Sequence, residues 1–271
     1  MTDESRQQRR ARQREWAKLG RAAMDGGLGS EPRREAVLGV SLILRSKLKE
    51  RENAACASEA AALAHKLAEV SRKSFAAREQ VACSRGCAHC CHNFVGVTAP
   101  EVFRLADTIR SAARRGVALL EPERVIERGR ATRDRTPEQR IGAKIPCQLL
   151  GPGGACTVYE ARPLVCRQTA SFSVEACKSE LEGDRSPMSV PTRHMAAASN
   201  AHLALLAAMR SVGLPTAAYE LAAALEVALT VPDAERRWLA GEDVFAGVTN
   251  RARRPPAVEA VMGKVAAEIS G

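Results

Sequence analysis

The chain has 271 residues, which is enough for one large domain or two small ones. Hydrophobic residues make up 45% of it, charged residues 27% and aromatic residues only 3%. This composition excludes collagen-like, prion-like and mucin-like chains, and a core of alanine, leucine and valine favours packed helices over a β-sandwich. The net charge of +10 allows nucleic acid or an acidic protein as a partner. Because the arginines alternate with glutamates, we interpret them mainly as a solvated helix surface.

The N-terminal segment, residues 1–82, is predicted to be a charged helical extension. Its first residues lack the apolar stretch of a secretory signal, and no run of about 18 residues is free of charges and turn formers, so we expect a cytoplasmic protein without a membrane-spanning helix. A first helix should end at the glycine-rich stretch 25–30. Residues 33–82 show helical spacing of apolar residues. Within them we interpret Cys56 as a small buried residue and His65 as a surface or core histidine, not a ligand.

The middle and C-terminal segments alternate between helical patterns and one irregular region. Thr98 and Glu101 predict a capping box for a helix that ends near Gly116, and 121–135 predicts a short helix. Residues 142–193, rich in proline and glycine, predict irregular structure with a short hairpin at about 151–154. Helices are expected over 194–212, 216–230, 233–240 and 256–269. No alternation of strands and helices indicates a parallel α/β fold. We therefore predict a mainly α-helical domain with a metal-stapled, cysteine-rich loop region at 83–193, on which helices of 194–271 pack.

Nine cysteines are the most informative feature of the composition, and eight of them fall in two groups. A cytoplasmic protein keeps its thiols reduced, so clustered cysteines indicate metal binding before disulfides. Incidental core cysteines are also unfavoured, because the first group is too dense and lies in polar sequence. The candidate metal ligands are Cys83, Cys87, Cys90 and Cys91 in the first group, and Cys147, Cys156, Cys166 and Cys177 in the second.

Thiolates are soft anionic donors that suit zinc or iron–sulfur clusters. A single four-thiolate zinc site would use only half of these eight. Cys90 and Cys91 are adjacent, so their side chains tend to diverge, and the count fits two metal sites, one polynuclear cluster, or one cluster with reactive thiols. His89 and His92 are substitute ligand candidates. The C-x3-C-x2-C spacing of the first group also occurs in radical S-adenosylmethionine enzymes, but those have a β/α barrel, which this pattern does not predict.

These motifs resemble a bacterial cysteine-cluster family, the YkgJ-like or CxxxCxxCC family, known for a zinc- or iron-chelating domain. The resemblance rests on Cys83-x3-Cys87-x2-Cys90-Cys91 and on the stretch Tyr159-Glu-Ala-Arg-Pro-Leu-Val-Cys166-Arg, and it covers about 83–177. It implies metal chelation. Members are often labelled iron–sulfur oxidoreductases, and flagellin lysine N-methylases that use S-adenosylmethionine are similar in cysteine pattern.

Three functional hypotheses follow. The first is an iron–sulfur protein with a redox role or an S-adenosylmethionine-dependent methyl-transfer role; the second is a zinc-stapled interaction module without catalysis. The third is nucleic-acid binding through the N-terminal arginines, which should weaken steeply with salt. We interpret Arg162 and Arg167 either as residues that hold the cysteine loop or as contacts for a cofactor or substrate anion. The N-terminal arginines are Arg9, Arg10, Arg12 and Arg14.

Overall fold

The computed structural model describes residues 31–75, 80–183, 189–248, 251–252 and 254–271. This part of the chain is mostly helical, as predicted, and none of its helices is long and apolar enough to cross a bilayer. The predicted helix within 1–30 lies outside the described residues. The α-helices are α1 (Glu31–Leu48), α2 (Cys56–Phe75), α3 (Ala99–Arg114), α4 (Pro122–Gly129), α5 (Pro137–Ala143), α6 (Leu164–Gln168), α7 (Val174–Glu182), α8 (Thr192–Ser211), α9 (Leu221–Thr230), α10 (Ala234–Leu239) and α11 (Pro256–Ser270).

Helix α8 is the centre of the fold. Its alanine- and leucine-rich stretch from Ala197 to Met209 is largely buried, while Arg210 at its end is exposed. Helices α1, α2, α6 and α11 all pack against it. Small side chains let these helices approach closely, which is why a chain with few aromatic residues can still form one continuous core.

Most of the aromatic side chains of the core lie together at one end of α3. Phe103 contacts Trp238 edge-on and Phe245 in a tilted arrangement, with ring centroids 5.7 and 5.6 Å apart. Tyr219 lies 4.7 Å from Phe245. Such pairs stabilise a core beyond their buried area, so this cluster fastens α3 to α10 and to the segment before α9.

A small antiparallel sheet was not predicted. Its strands are β1 (Gly96–Thr98), β2 (Ala218–Glu220) and β3 (Arg251–Ala252), and β2 lies between the other two. Val97 pairs with Tyr219 in the register of β1 and β2. The helix expected over 216–230 therefore starts only at Leu221, where Glu220 caps α9 by accepting a hydrogen bond of 2.8 Å from the Ala223 amide.

Other elements differ from the prediction in where they begin or end. The helical stretch 33–82 is two helices, because the chain turns between Leu48 and Cys56; Asn53 holds this turn by accepting a bond of 3.0 Å from the Ala55 amide. The region 142–193 contains α6 and α7, so it is less irregular than expected. The hairpin near 151–154 is confirmed: Leu150 and Cys156 form an antiparallel bridge around a 3-10 turn, Pro152–Gly154.

The predicted start of α3 is confirmed, with one difference in detail. The Thr98 amide and hydroxyl both donate to Glu101 Oε2, at 3.1 and 2.8 Å. The other carboxylate oxygen, Oε1, accepts a bond of 2.7 Å from the Leu164 amide at the start of α6. Glu101 is fully buried, so one side chain caps α3 and also ties α6 to it.

Candidate metal centre

The first cysteine segment is a loop that ends in a single 3-10 turn, His89–His92. The Cys87 amide donates to Ser84 O at 3.1 Å, and Gly86 takes a φ of +95°, which glycine adopts without strain. Cys83 is exposed, whereas Cys87, Cys90 and Cys91 are partly buried. The loop thus brings four thiols into a short stretch of chain while leaving one of them open to solvent.

The second cysteine group is spread over a hairpin and two helices. Cys147 and Cys156 lie on the arms of the hairpin, Cys166 lies on α6 and Cys177 on α7. The Cys147 amide donates to Cys91 O at 2.8 Å, so the hairpin is bonded directly to the first segment. Helix α7 packs against the 3-10 turn, which brings the helix of Cys177 next to the first segment.

Two glycines allow the hairpin to dock on the first segment. A β-carbon on Gly154, whose φ is +74°, would lie only 2.5 Å from Gly86 O. A β-carbon on Gly86 would lie 3.1 Å from Gly153 O. Any side chain at Gly154 would therefore push the two cysteine-bearing loops apart.

One group of thiols, which we name the first set, lines a single small pocket. The pocket has a volume of about 70 Å³, and its walls also include His89 and Glu180. Burial raises the pKa of Cys177, and the charges of the other three thiols raise it further. The first set consists of Cys83, Cys87, Cys90 and Cys177.

The remaining thiols form the second set, and three of them, Cys147, Cys156 and Cys166, pack against the hydrophobic core. Burial raises the pKa of Cys147 to about 11 and raises that of Cys166 as well. The charges of Cys147 and Cys166 raise the pKa of Cys91, and those of Cys147 and Cys156 raise the pKa of Cys166, so Cys147 and Cys166 lie near each other and near the other two thiols. The second set consists of Cys91, Cys147, Cys156 and Cys166.

Cys90 and Cys91 join the two sets. A hydrogen bond with Cys91 lowers the pKa of Cys90 to about 6, and the charge of Arg162 contributes in the same direction. The same hydrogen bond raises the pKa of Cys91. The pair therefore behaves as one thiolate and one thiol that donates to it. The charge of Cys90 also acts on Cys156 and Cys166, which places it next to both sets.

The raised pKa values of the cysteine thiols indicate that they need a bound cation to be deprotonated together. Several thiolates in a low-dielectric environment repel one another, and most of these thiols stay protonated at neutral pH without a cation. A bound metal ion reverses this balance, because it deprotonates a coordinating thiol. Soft donors in two groups of four fit zinc or iron–sulfur clusters.

The side chains are not yet arranged as ligand shells. In the described ranges, no three cysteine, histidine or carboxylate side chains converge closely enough to hold a metal ion as they stand. A zinc ion holds each thiolate sulfur at about 2.3 Å. Metal binding therefore requires the thiols of a set to come closer together than they stand, and the thiols of each set already lie near enough to shift one another's pKa.

The two arginines of the second segment hold the loop, as the first of their two interpretations predicts. Arg167 donates to the carbonyls of Tyr159, Glu160 and Arg162 at 3.1, 2.9 and 2.8 Å. Arg162 donates to Cys166 O and lies over the Tyr159 ring, 5.6 Å from its centroid. The positive charge of Arg162 also lowers the pKa of Cys90. The contact with a cofactor or substrate anion stays a prediction.

The histidines differ in what they could contribute. His89 lines the pocket of the first set, so it remains a substitute ligand candidate there. His92 Nδ1 lies 3.2 Å from both Ala88 O and His89 O, so that nitrogen is engaged by its own turn. His65 is buried at Glu101, with Nε2 3.6 Å from Oε1, and Cys56 is fully buried in α2; both agree with their core interpretation.

The sequence analysis missed residues that lie outside the cysteine motifs but hold the cysteine-bearing elements in place. Glu101 was interpreted only as a cap, although it also holds the helix of Cys166. Ser171 accepts a bond of 2.9 Å from the Ala82 amide through its carbonyl, and its hydroxyl lowers the pKa of Cys177. The signal for Gly86 and Gly154 was present, since each glycine lies near a cysteine, but their contact depends on tertiary structure. The candidate nucleic-acid-binding arginines lie outside the described residues.

A helical fold that carries eight thiols in two groups defines a metal-binding cysteine-cluster protein. Residues 82–185 match the model of the CxxCxxCC family, described as a "putative zinc- or iron-chelating domain". The match spans both cysteine segments, agrees with the family resemblance and supports metal binding by this part of the chain. No curated protein and no solved structure matches the chain.

Proposed function

We propose that this protein is an iron–sulfur protein with two centres, one on each set of cysteines. The observation that carries the proposal is the division of eight thiols into two sets of four at the Cys90–Cys91 bond. Four thiolates are the usual ligand shell of an iron–sulfur cluster. Neighbouring cysteines of one run also serve different clusters in two-cluster ferredoxins, which is the arrangement proposed here.

The role we propose is electron transfer in the cytoplasm. A bound cluster supplies one-electron redox chemistry there, and the chain's own groups adjust its charge. Arg162 offsets negative charge between the sets, and the Leu149 amide donates to Cys147 Sγ at 3.5 Å. Hydrogen bonds to sulfur and nearby charge both tune the potential of a cluster. The exposed Cys83 places the first set within reach of a redox partner, whereas the second set lies against the core.

The pocket volume favours electron transfer over S-adenosylmethionine-dependent methyl transfer. The pocket at the first set measures about 70 Å³. Sites for cofactors of that size usually enclose at least about 300 Å³. The alternative function is a zinc-stapled module without catalysis. It is favoured by the second set, whose position against the core is typical of a closed, structural zinc site.

Metal analysis of anaerobically purified full-length protein separates these functions. We expect iron with an equal amount of acid-labile sulfide, and visible absorbance that bleaches reversibly on reduction. Zinc without iron or sulfide would reject the iron–sulfur proposal and favour the structural module. Iron with sulfide that no reductant bleaches would keep the cluster but reject electron transfer.

A further inference from the structure

A second cavity is bordered by α1, α6, α8 and α11. Its volume is about 390 Å³, which falls within the usual range of small-molecule sites, roughly 300–1,000 Å³. Most of its wall is apolar, and helices α8 and α11 supply four of its aliphatic side chains. The main apolar contacts are Phe94, Leu203, Leu206, Val258 and Val261.

The charged side chains that line this cavity, among the residues that the structure describes, are both positive. Arg33 and Arg254 line it, and no aspartate or glutamate is among its lining residues in the described part of the chain. Arg254 is already paired, since it donates to Glu259 Oε2 at 2.7 Å and to Thr216 O. The other cation, Arg33, is therefore the group that we expect to bind an anionic ligand.

Arg33 is a half-buried cation, and no residue that the structure describes gives it an anionic partner. Its Nε donates to Asn200 Oδ1 at 2.7 Å, while its two terminal nitrogens have no acceptor among residues 31–75, 80–183, 189–248, 251–252 and 254–271. Burial lowers its pKa, and no neighbouring acid offsets that effect. A desolvated guanidinium with a free edge is costly to hold and is well shaped for a carboxylate, which it can bind through two parallel hydrogen bonds.

Two neutral polar groups lie on the same wall. Gln168 and His202 both line the cavity, and neither side chain has a hydrogen bond to another described residue. Burial lowers the pKa of His202, so its imidazole is neutral near pH 7 and offers one donor and one acceptor. An anion at Arg33 would thus find further hydrogen-bonding groups within an otherwise apolar cavity.

We propose that this cavity binds a small aliphatic monocarboxylate, with its carboxylate on Arg33 and its hydrocarbon body against α8 and α11. The apolar wall excludes phosphorylated and highly charged ligands, which would leave buried charge unpaired. The single free guanidinium edge matches one carboxylate. The aliphatic side chains match a hydrocarbon chain better than a polar metabolite.

The cavity also stands next to the cysteine centre. Val165 and Gln168 are three residues apart on α6 and both line it, while Cys166 of the second set lies between them in sequence. The bound carboxylate would therefore contact the short helix that carries a metal ligand. The binding itself does not depend on which metal the protein holds, so it can be tested independently of the proposed function.

Calorimetric titration of the full-length protein with octanoate tests the charge requirement, and octanamide serves as the uncharged probe of the same shape. We expect octanoate to bind at least about tenfold more tightly than octanamide, because a charge-assisted hydrogen bond adds that much. Arg33→Gln should remove this preference. The matched control is Arg34→Gln, the same change one residue along at an exposed side chain paired with Glu268, and it should leave binding unchanged.

A second variant tests the cavity without altering its charge. Val258→Trp fills the apolar wall and should weaken both probes equally, with thermal unfolding measured to confirm that each variant folds. The proposal is wrong if octanoate and octanamide bind the native protein equally. It is also wrong if octanoate does not bind, or if its affinity survives either Arg33→Gln or Val258→Trp in a variant that folds. Measuring iron, zinc and sulfide on the same samples keeps this outcome separate from that of the metal proposal.

Discussion

Replacing the buried carboxylate of Glu101 should destabilise the protein strongly. Its oxygens accept bonds from the Leu164 amide and from the amide and hydroxyl of Thr98. Burial tends to raise its pKa, but the contact with His65 and the bond from the Leu164 amide work against burial, and the pKa is held at about 2, against 4.5 for a free glutamate. Each pH unit of difference corresponds to about 1.4 kcal/mol, so ionised Glu101 contributes on the order of 3 kcal/mol to folding near pH 7.

The variant Glu101→Gln isolates this contribution. The glutamine amide keeps the shape but has one acceptor oxygen, so its NH₂ group would face a backbone N–H of Thr98 or Leu164. A buried donor left unsatisfied costs about 1–3 kcal/mol, which agrees with the figure from the pKa. The matched control is Glu268→Gln, which removes only an exposed ion pair with Arg34 and should cost less than about 1 kcal/mol.

Denaturant unfolding at several pH values supplies the assay. A carboxyl whose folded pKa is lowered stabilises the protein fully above its unfolded pKa, and that stabilisation is lost as pH falls through about 4.5 towards about 2. The stability gap between the native protein and Glu101→Gln should therefore shrink to roughly half at about pH 3. A gap no larger than that of Glu268→Gln, or one that is constant with pH, would refute this account of Glu101.

The cysteine loops supply two further predictions. Gly154→Ala should lower metal content and thermal stability more than Gly153→Ala does. Both glycines have positive φ, but only a β-carbon at position 154 would clash with Gly86 O. Equal losses of bound metal and of thermal stability in the two variants would contradict the contact between the loops. In metal-free protein, the alkylation rate of Cys90 should rise with pH around a midpoint near its pKa of about 6. Arg162→Gln should move that pH midpoint upward, because it removes a positive charge that lowers the pKa of Cys90. An unchanged midpoint, measured by mass-spectrometric labelling, would show that Arg162 does not act on the Cys90 thiolate.

The sequence predicted features that depend on local chemistry. The start of α3 at Thr98 and Glu101 and the hairpin at 151–154 both follow from residues close together in the chain, and both are present. The turn between α1 and α2 was missed although Asn53 marks it, because the apolar spacing continues on both sides. Strand β2 was missed because its pairing partners are about 120 residues upstream and 30 downstream, and periodicity over three residues carries little information.

The cysteine centre shows the same limit at the level of the site. The spacing of the cysteines identified all eight candidate ligands but left open whether they form one group or two. Which set a cysteine belongs to depends on how the hairpin and α7 dock on the first segment. The hairpin docks through the bond from the Cys147 amide to Cys91 O, and α7 packs against the 3-10 turn. Cys177 was the least secure member of the motif, and it lies in one pocket with Cys83 and Cys87. The grouping that we propose rests on contacts between distant segments, which the local sequence does not report.

The metal content of single-cysteine variants tests the central claim, that the thiols form two independent centres. Cys177→Ala removes a ligand from the first set only, Cys166→Ala one from the second set only, and Cys56→Ala is the control at a buried cysteine outside both sets. We predict that each of the first two variants loses about half of the metal, that their combination loses nearly all of it, and that Cys56→Ala loses none. Loss of all metal in either single variant, or full metal content in Cys177→Ala, would contradict two centres.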